Sequence, residues 1–345
     1  QYKNGGGSSY NIYNQGVNNY DNLKIVLNKY KDTYNYLSSI GLYPTIKNGY
    51  YYPYSNESSS VLKILKNNLN NVNIITNCIV KNIDKKDNKF IVKTNNKEYT
   101  CDKLIVATGS LAYSRLDYKE SGYNLLSKYH TINKVLPSLV GLKSNYRYFK
   151  DLDGVRVNSK ITLLIDDKEI KSEVGELQLT DYGISGICTF NISSIAIRSL
   201  NNNKNVKVKI DFLQQDFIEL MNNINNNLTI ESNLISLFNH KIIDVIKKEV
   251  NINYQNTWNN LSNEDKLKLK EFINNKVIEI IGYNSYDRSQ VCTGGISFNE
   301  INPNTMESLK IKDLYILGEL LDVDGICGGY NLSFAFTTGF IVGEL

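Results

Sequence analysis

The chain reads as an α/β protein whose open layer is interrupted by an insert. Three observations carry that reading. Apolar, β-branched runs alternate with amphipathic helical stretches up to about residue 134. Short strands then dominate to about 200, and amphipathic helices with Asn-rich connectors follow over 213–283. The last stretch, 291–345, returns to an apolar strand, a polar loop and a helix. At 345 residues the chain exceeds what one simple core encloses, so two or three domains are expected. The open layer is assigned to 1–134 with 291–345. The insert is assigned to 135–290, β-rich over 135–212 and helical over 213–290.

Taken in order, Leu23, Val26, Leu27, Tyr30, Tyr34 and Leu37 recur at helical spacing, which predicts a helix over 21–42 stopped by Gly41. Residues 47–54 form a tyrosine-rich, hairpin-like segment broken by Pro53. Ser55 suits the N-cap of a helix over 55–69, with its apolar face on 58–69. Strands are predicted over 72–83, 89–94 and 104–107, each apolar or β-branched and bounded by turn residues. In the insert, 161–165 and 176–179 read as strands, with turns at Asp166-Asp167 and Gly175. Helices are predicted over 217–224, 235–247 and 263–280. The Asn runs read as loops or helix ends, and no repeat of solenoid length is present.

Composition narrows the class. Hydrophobic content of 41% with 21% charge describes a globular chain. A net charge of +4 offers no concentrated basic face, so nucleic acid is not expected as a partner. No apolar run approaches the ~20 residues that cross a bilayer, so no membrane partner is expected either. No signal peptide is visible, and a cytoplasmic location is expected. Cys78, Cys101, Cys188, Cys292 and Cys327 are scattered and odd in number, which reads as free thiols of a cytoplasmic protein. His130 and His240 form neither a triad nor a metal site, and no metal is expected. The Asn, Lys, Tyr and Ile bias reads as codon bias of an AT-rich genome.

The chemistry concentrates at the end of the chain. The apolar strand Leu314 to Leu317 stops at Gly318-Glu319. A polar loop with Asp322, Asp324 and Gly325 follows, and Gly328-Gly329 then opens a helix rich in small residues at Tyr330-Asn331-Leu332. A carboxylate beside a helix N-terminus free of bulky side chains suits a large, partly anionic cofactor. The acid accepts hydrogen bonds from a hydroxyl chain, and the free amides and positive dipole end face a negative ring edge. A second strand ends in Ala107-Thr108-Gly109-Ser110, and Thr293-Gly294-Gly295 stands where the chain returns from the insert. For both, a simple glycine turn is the plain alternative. The tyrosines of 50–54 line a substrate cleft or serve as half-buried packing.

The segment from Gly318 to Gly339 resembles the closing signature of a bacterial flavoprotein family that includes 3-dehydro-bile-acid Δ4,6-reductase-like and aminoacetone-oxidase-like proteins, within the two-dinucleotide-binding flavoprotein superfamily. Four further segments agree in order, at 47–62, 101–116, 175–186 and 291–308. The resemblance implies a Rossmann-like FAD-binding domain with a β-rich and helical insert. It implies FAD contacts at Val80, whose strand runs past the adenine, at Ala107, Thr108, Gly109 and Ser110, and at Gly294 and Gly295. Further contacts are implied at Gly318, Glu319, Asp324, Gly325, Gly328, Gly329, Tyr330, Asn331 and Leu332. The family usually has Gly at the position of Ser110, Asp at Ser121 and His at Asp181. No catalytic residue is assigned.

The family also begins with a strand, a Gly-x-Gly-x-x-Gly turn and a helix, and the present sequence is expected to lack that unit. It opens near a Gly-Gly-Gly loop, with Ser8-Ser9-Tyr10 in place of the family's Arg-Cys; Gly5 to Ser9 also resembles an engineered linker. The function implied is an FAD-dependent oxidoreductase that moves a hydride between flavin N5 and a small organic substrate, an enone-type double bond or an amine. NAD(P)H is the electron donor considered. The alternative is a non-catalytic remnant or fragment with little FAD binding. A tRNA-modifying flavoprotein of the same superfamily would need a basic, aromatic patch that the sequence does not show.

Overall fold

The computed structural model describes residues 12–13, 20–47, 50–113, 121–224 and 227–345. Gly5 to Tyr10, the opening segment singled out in the sequence, lie outside the described residues. The chain divides into two units, 1–136 with 291–345, and 137–290.

The first unit opens with β1 (Ile12–Tyr13) and two consecutive helices, α1 (Tyr20–Asn28) and α2 (Tyr30–Ser39). Sequence spacing predicts one helix here. The chain breaks it at Lys29, where the Thr33 hydroxyl donates to the Lys29 carbonyl at 2.9 Å, a back-bond that disturbs helices. Leu23, Val26 and Leu37 supply the buried stripe. β2 (Pro44–Lys47) and β3 (Tyr50–Pro53) form an antiparallel hairpin with Pro44 opposite Pro53. α3 (Ser58–Asn67) follows. Ser55 does not cap it: its hydroxyl accepts from the Glu57 amide at 3.3 Å and donates to Ser60 at 2.9 Å.

The strand predicted over 72–83 begins only at β4 (Val80–Lys86), which pairs antiparallel with β5 (Lys89–Thr94), itself paired with β6 (Glu98–Cys101). Val72, Ile74, Ile75 and Ile79 are exposed instead of laddered. β7 (Leu104–Val106), α4 (Gly122–Leu126) and β8 (Ile132–Ser138) complete this part.

The second unit is a closed barrel. Its strands are β9 (Leu142–Ser144), β10 (Arg156–Ile165), β11 (Lys168–Thr180), β12 (Gly183–Ser185), β13 (Val206–Asp211) and β14 (Lys276–Tyr283), joined in the order β10-β11-β12-β9-β14-β13. Alternate residues are buried, as a half-buried strand requires: Ile161, Leu163 and Ile165; Val206, Val208 and Ile210; Ile278 and Ile280. Asp166 and Asp167, both at positive φ, make the β10–β11 turn. Gly175 is no turn. It lies within β11 opposite Ser159, where Cys188 packs over it. The helices are α5 (Phe149–Leu152), α6 (Ile187–Asn201), α7 (Phe217–Asn223), α8 (Ile230–Leu237), α9 (His240–Glu249) and α10 (Asn263–Asn275). The region expected to be β-rich thus contains α6, packed against five of the six barrel strands. The helix expected over 235–247 is two, because Asn239 caps a new one by accepting from the Lys241 amide. The helix expected over 263–280 stops at Asn275, and the region expected to be helical ends in β14.

The chain returns to the first unit through β15 (Val291–Ile296), β16 (Leu314–Ile316), β17 (Asp324–Gly325) and α11 (Tyr330–Gly343). β15 pairs with β8, β17 antiparallel with β1, and β16 parallel with β7.

Candidate cofactor site

β7 and β16 run parallel with Leu104, Ile105 and Val106 opposite Leu314, Tyr315 and Ile316. The Leu317 amide continues the ladder by donating to the Val106 carbonyl at 3.1 Å. Ala107-Thr108-Gly109 and Gly318-Glu319 therefore leave adjacent parallel strands at the same end. That end is where open α/β sheets bind ligands. Ala107 and Thr108 are exposed there. Tyr123, on α4, donates its hydroxyl to the Glu319 carbonyl at 3.1 Å and holds the turn from behind.

The Glu319 side chain is turned inward. Its carboxylate accepts from the Cys292 amide at 3.0 Å and from the Ser110 hydroxyl. Burial pushes its pKa above the usual carboxylate range, against the lowering effect of those two bonds. Burial also pushes the neighbouring Cys292 thiol up to about 12, so it stays protonated and unreactive at neutral pH.

Thr293-Gly294-Gly295 is a strand, β15, buried throughout. Gly294 has φ +91°, and a side chain there would collide with the Lys134 carbonyl of β8. The two glycines thus meet backbone on both sides, since a Cβ on Gly295 would meet the Leu320 carbonyl at 2.7 Å. Two buried carboxylates pin this strand. Asp322 accepts from the Gly294 amide at 3.0 Å and from Asn133 Nδ2 at 2.7 Å, and Asp324 accepts from the Thr293 hydroxyl at 2.8 Å. Sequence reasoning left Asn133 and Cys292 out of the site and named Thr293 and Asp322 only as parts of the Thr-Gly-Gly segment and the polar loop, without a role. The available signal was two acids, one residue apart, inside an otherwise apolar run.

Gly325 is clasped by one side chain. Asn331 Oδ1 accepts from its amide at 2.8 Å, and Asn331 Nδ2 donates to its carbonyl at 3.0 Å. Asn331 therefore fixes the loop against the first turn of α11. Gly329 caps that helix in the left-handed region, at φ +88°, and no acidic residue occupies its first turn. Its opening amides have no intrahelical acceptor, and its positive end is not neutralised by a carboxylate in that turn. Tyr330 is buried and Leu332 is exposed. Gly328 lies against Tyr50, whose Cε1 would be 2.6 Å from an added Cβ.

Of the expected cofactor residues, the structure gathers those from Ala107 to Ser110, from Gly294 to Glu319 and from Asp324 to Leu332 around the β7–β16 ends, β15 and the start of α11. Val80 stands in the separate β4–β5–β6 sheet, paired with Thr94. Thr180 to Gly183, in the second unit, is a hairpin turn closed by the Thr180 hydroxyl on the Gly183 carbonyl at 3.0 Å. Among the described residues no group of three or more His, Cys, Asp or Glu could hold a metal ion. His130 is buried against Ser308, 2.8 Å from its Nε2.

Adjacent parallel strand ends beside a glycine-capped helix define a Rossmann-type, nucleotide-cofactor protein. Residues 6–345 match the HI0933-like protein Rossmann domain family. The chain belongs to that HI0933-like family, a family of FAD-dependent oxidoreductases. It is 33% identical over 325 residues to a 3-dehydro-bile acid delta(4,6)-reductase of Clostridium scindens, a match over 91% of this chain and 80% of that protein. It is 28% identical over 264 residues to a ribosomal RNA dihydrouridine synthase of Haemophilus influenzae, over 73% and 62% of the two chains. Against the ribosomal RNA dihydrouridine synthase of Escherichia coli it is 26% identical over 267 residues, over 76% and 64%. Two relatives so named remove the ground for excluding nucleic acid on net charge alone. Among the described residues no helix is long and apolar enough to cross a membrane.

The residues present fit FAD. The exposed strand end at Ala107-Thr108 admits a backbone-hugging ligand. The first turn of α11 offers unneutralised amides to an anionic ring edge, and the Glu319 carboxylate at the end of β16 has acceptor capacity beyond the Cys292 amide.

Proposed function

We propose that this chain forms the body of a flavin-dependent reductase acting on an electron-poor carbon–carbon double bond of a small organic molecule, with NAD(P)H as electron donor. The observation that carries this reading is the start of α11: a left-handed glycine cap, a first turn without acidic residues, and a clasp from Asn331 that holds the loop in front of it. Such a helix end stabilises negative charge where it gathers on a reduced ring. The name of the relative at 33% identity, a reductase, favours reduction over oxidation of an amine.

FAD, when bound, supplies the hydride transfer. The chain supplies position and electrostatics. Gly328 to Leu332 would hold the pyrimidine edge. Glu319 would accept a hydroxyl of the ribityl chain while keeping the Cys292 amide paired. Thr108, Gly109 and Ser110 would line the cofactor along the strand end. The cytoplasm suits such a protein, since none of the five cysteines is in a disulfide among the described residues.

The test is spectroscopic. After incubation with FAD and desalting, the chain is expected to keep a yellow flavin spectrum that NADH or NADPH bleaches without air and that a conjugated enone restores. A colourless protein after reconstitution would favour the non-catalytic alternative and overturn this proposal.

A further inference from the structure

We propose that the tyrosine-lined cavity enclosed by α2, the β2–β3 hairpin, the start of α3 and α11 is a binding pocket for an uncharged, ring-bearing apolar molecule. Its role as the substrate pocket rests on the flavin reading above; its capacity to bind does not.

The cavity has a volume of about 380 Å³, within the range of small-molecule sites. Its walls are apolar and aromatic: Leu37, Tyr34, Tyr51, Tyr52, Leu332 and Phe336 face it. Among the described residues no Asp, Glu, Lys or Arg lines it, so a charged ligand would lose hydration against its apolar walls. The Tyr34 and Tyr51 rings stand 4.8 Å apart and tilted by 42°, an arrangement that offers faces and edges to a flat ligand. Asn56, whose Oδ1 accepts from the Lys47 ammonium at 2.6 Å, and Ser58 are the polar side chains besides the tyrosine hydroxyls. A groove of about 460 Å³ in the second unit differs: five of its nine lining residues, Arg147, Glu249, Lys268, Glu271 and Lys276, are charged.

Position supports the assignment. Leu332 and Phe336 lie one turn apart on α11, and Gly328 precedes Leu332 by the same spacing at the helix opening. Tyr50, which packs on Gly328, adjoins Tyr51 in β3. One wall of the cavity is therefore the helix whose first turn faces the proposed cofactor. Leu332 is 55% exposed, an apolar side chain at the place where a ligand would cover it.

The test uses the chain without flavin. N-phenyl-1-naphthylamine, neutral and fluorescent when buried, is titrated beside the anionic 8-anilinonaphthalene-1-sulfonate. The neutral dye is expected to bind at least tenfold more tightly than the anionic one. Val61→Arg should weaken the neutral dye at least tenfold; α3 buries no side chain, so the variant should keep its circular dichroism. Ser58→Arg, at an exposed lining position, should do the same, and Ile235→Arg, exposed in the second unit, should not. No binding of the neutral dye, or equal binding by folded Val61→Arg and Ser58→Arg, overturns the proposal, and tighter anionic binding overturns its neutral chemistry. If dye binding behaves as expected while FAD is not retained, the reductase reading fails and the pocket stands. If FAD is retained and the dye does not bind, only the pocket fails.

Discussion

Glu319 holds the end of β16 to the start of β15, because its carboxylate takes the Cys292 amide and the Ser110 hydroxyl. Glu319→Ala leaves a mostly buried amide without its acceptor. We predict that it weakens FAD binding by about 1–3 kcal/mol and lowers the melting temperature as well. Glu319→Gln keeps an acceptor for both donors and should recover most of the stability; a Gln variant as unstable as the Ala one would refute the hydrogen-bond account. The raised pKa of Glu319 fixes the sign of a pH effect. The folded state binds the proton more tightly than the unfolded state. Its contribution is therefore full below the ordinary glutamate pKa and is lost as pH rises through the raised folded value. Relative to Glu319→Gln, the parent chain should thus lose stability from about pH 4 upward, measured by urea unfolding at several pH values. Asp322 is the second test at this scale. It is fully buried and takes both Gly294 and Asn133, so Asp322→Ala should destabilise by about 2–4 kcal/mol, and a change below 0.5 kcal/mol, roughly the scale of a surface substitution, would contradict that pairing. Glu319 was legible as the acid that ends an apolar strand, though not as the acceptor of the Cys292 amide. Asp322 was not, because nothing in a linear pattern shows that a loop carboxylate will meet a strand amide 28 residues away.

The helix α11 turns on one backbone geometry, the left-handed Gly329. A β-branched residue resists that conformation. Gly329→Val should displace the first turn, and with it lower the flavin reduction potential or abolish FAD binding; a folded variant with normal flavin content and an unchanged potential would rule this out. Other elements show what sequence patterns carry and where they stop. β5 was read to the residue, since its β-branched core is bounded by turns on both sides. The passage from α10 to β14 was missed because Val277, Ile278 and Ile280 extend the apolar spacing of the helix. The period changes from 3.6 to 2 at Lys276, where Ile278 and Ile280 enter the barrel and Val277 and Ile281 face out. Residues 72–79 failed the other way. Their β-branched side chains favour a strand, yet propensity makes a strand only where a neighbour supplies the ladder.

At the scale of the whole molecule, residues 137–290 close a six-stranded barrel with its own buried interior. We predict that this unit, expressed alone, melts in one cooperative step with mixed helix and strand circular dichroism. A non-cooperative melt would show that it depends on the rest of the chain. Its two ends are neighbours: the Gln290 amide donates to the Leu139 carbonyl at 3.3 Å, and β8 and β15, which lead in and out, pair with each other. A domain whose entry and exit share one hydrogen-bonded doorway can be cut out, enlarged or swapped at the level of the gene while the two crossing strands keep their register. In such an architecture the insert is free to change while the frame that the rest of the chain maintains stays as it is.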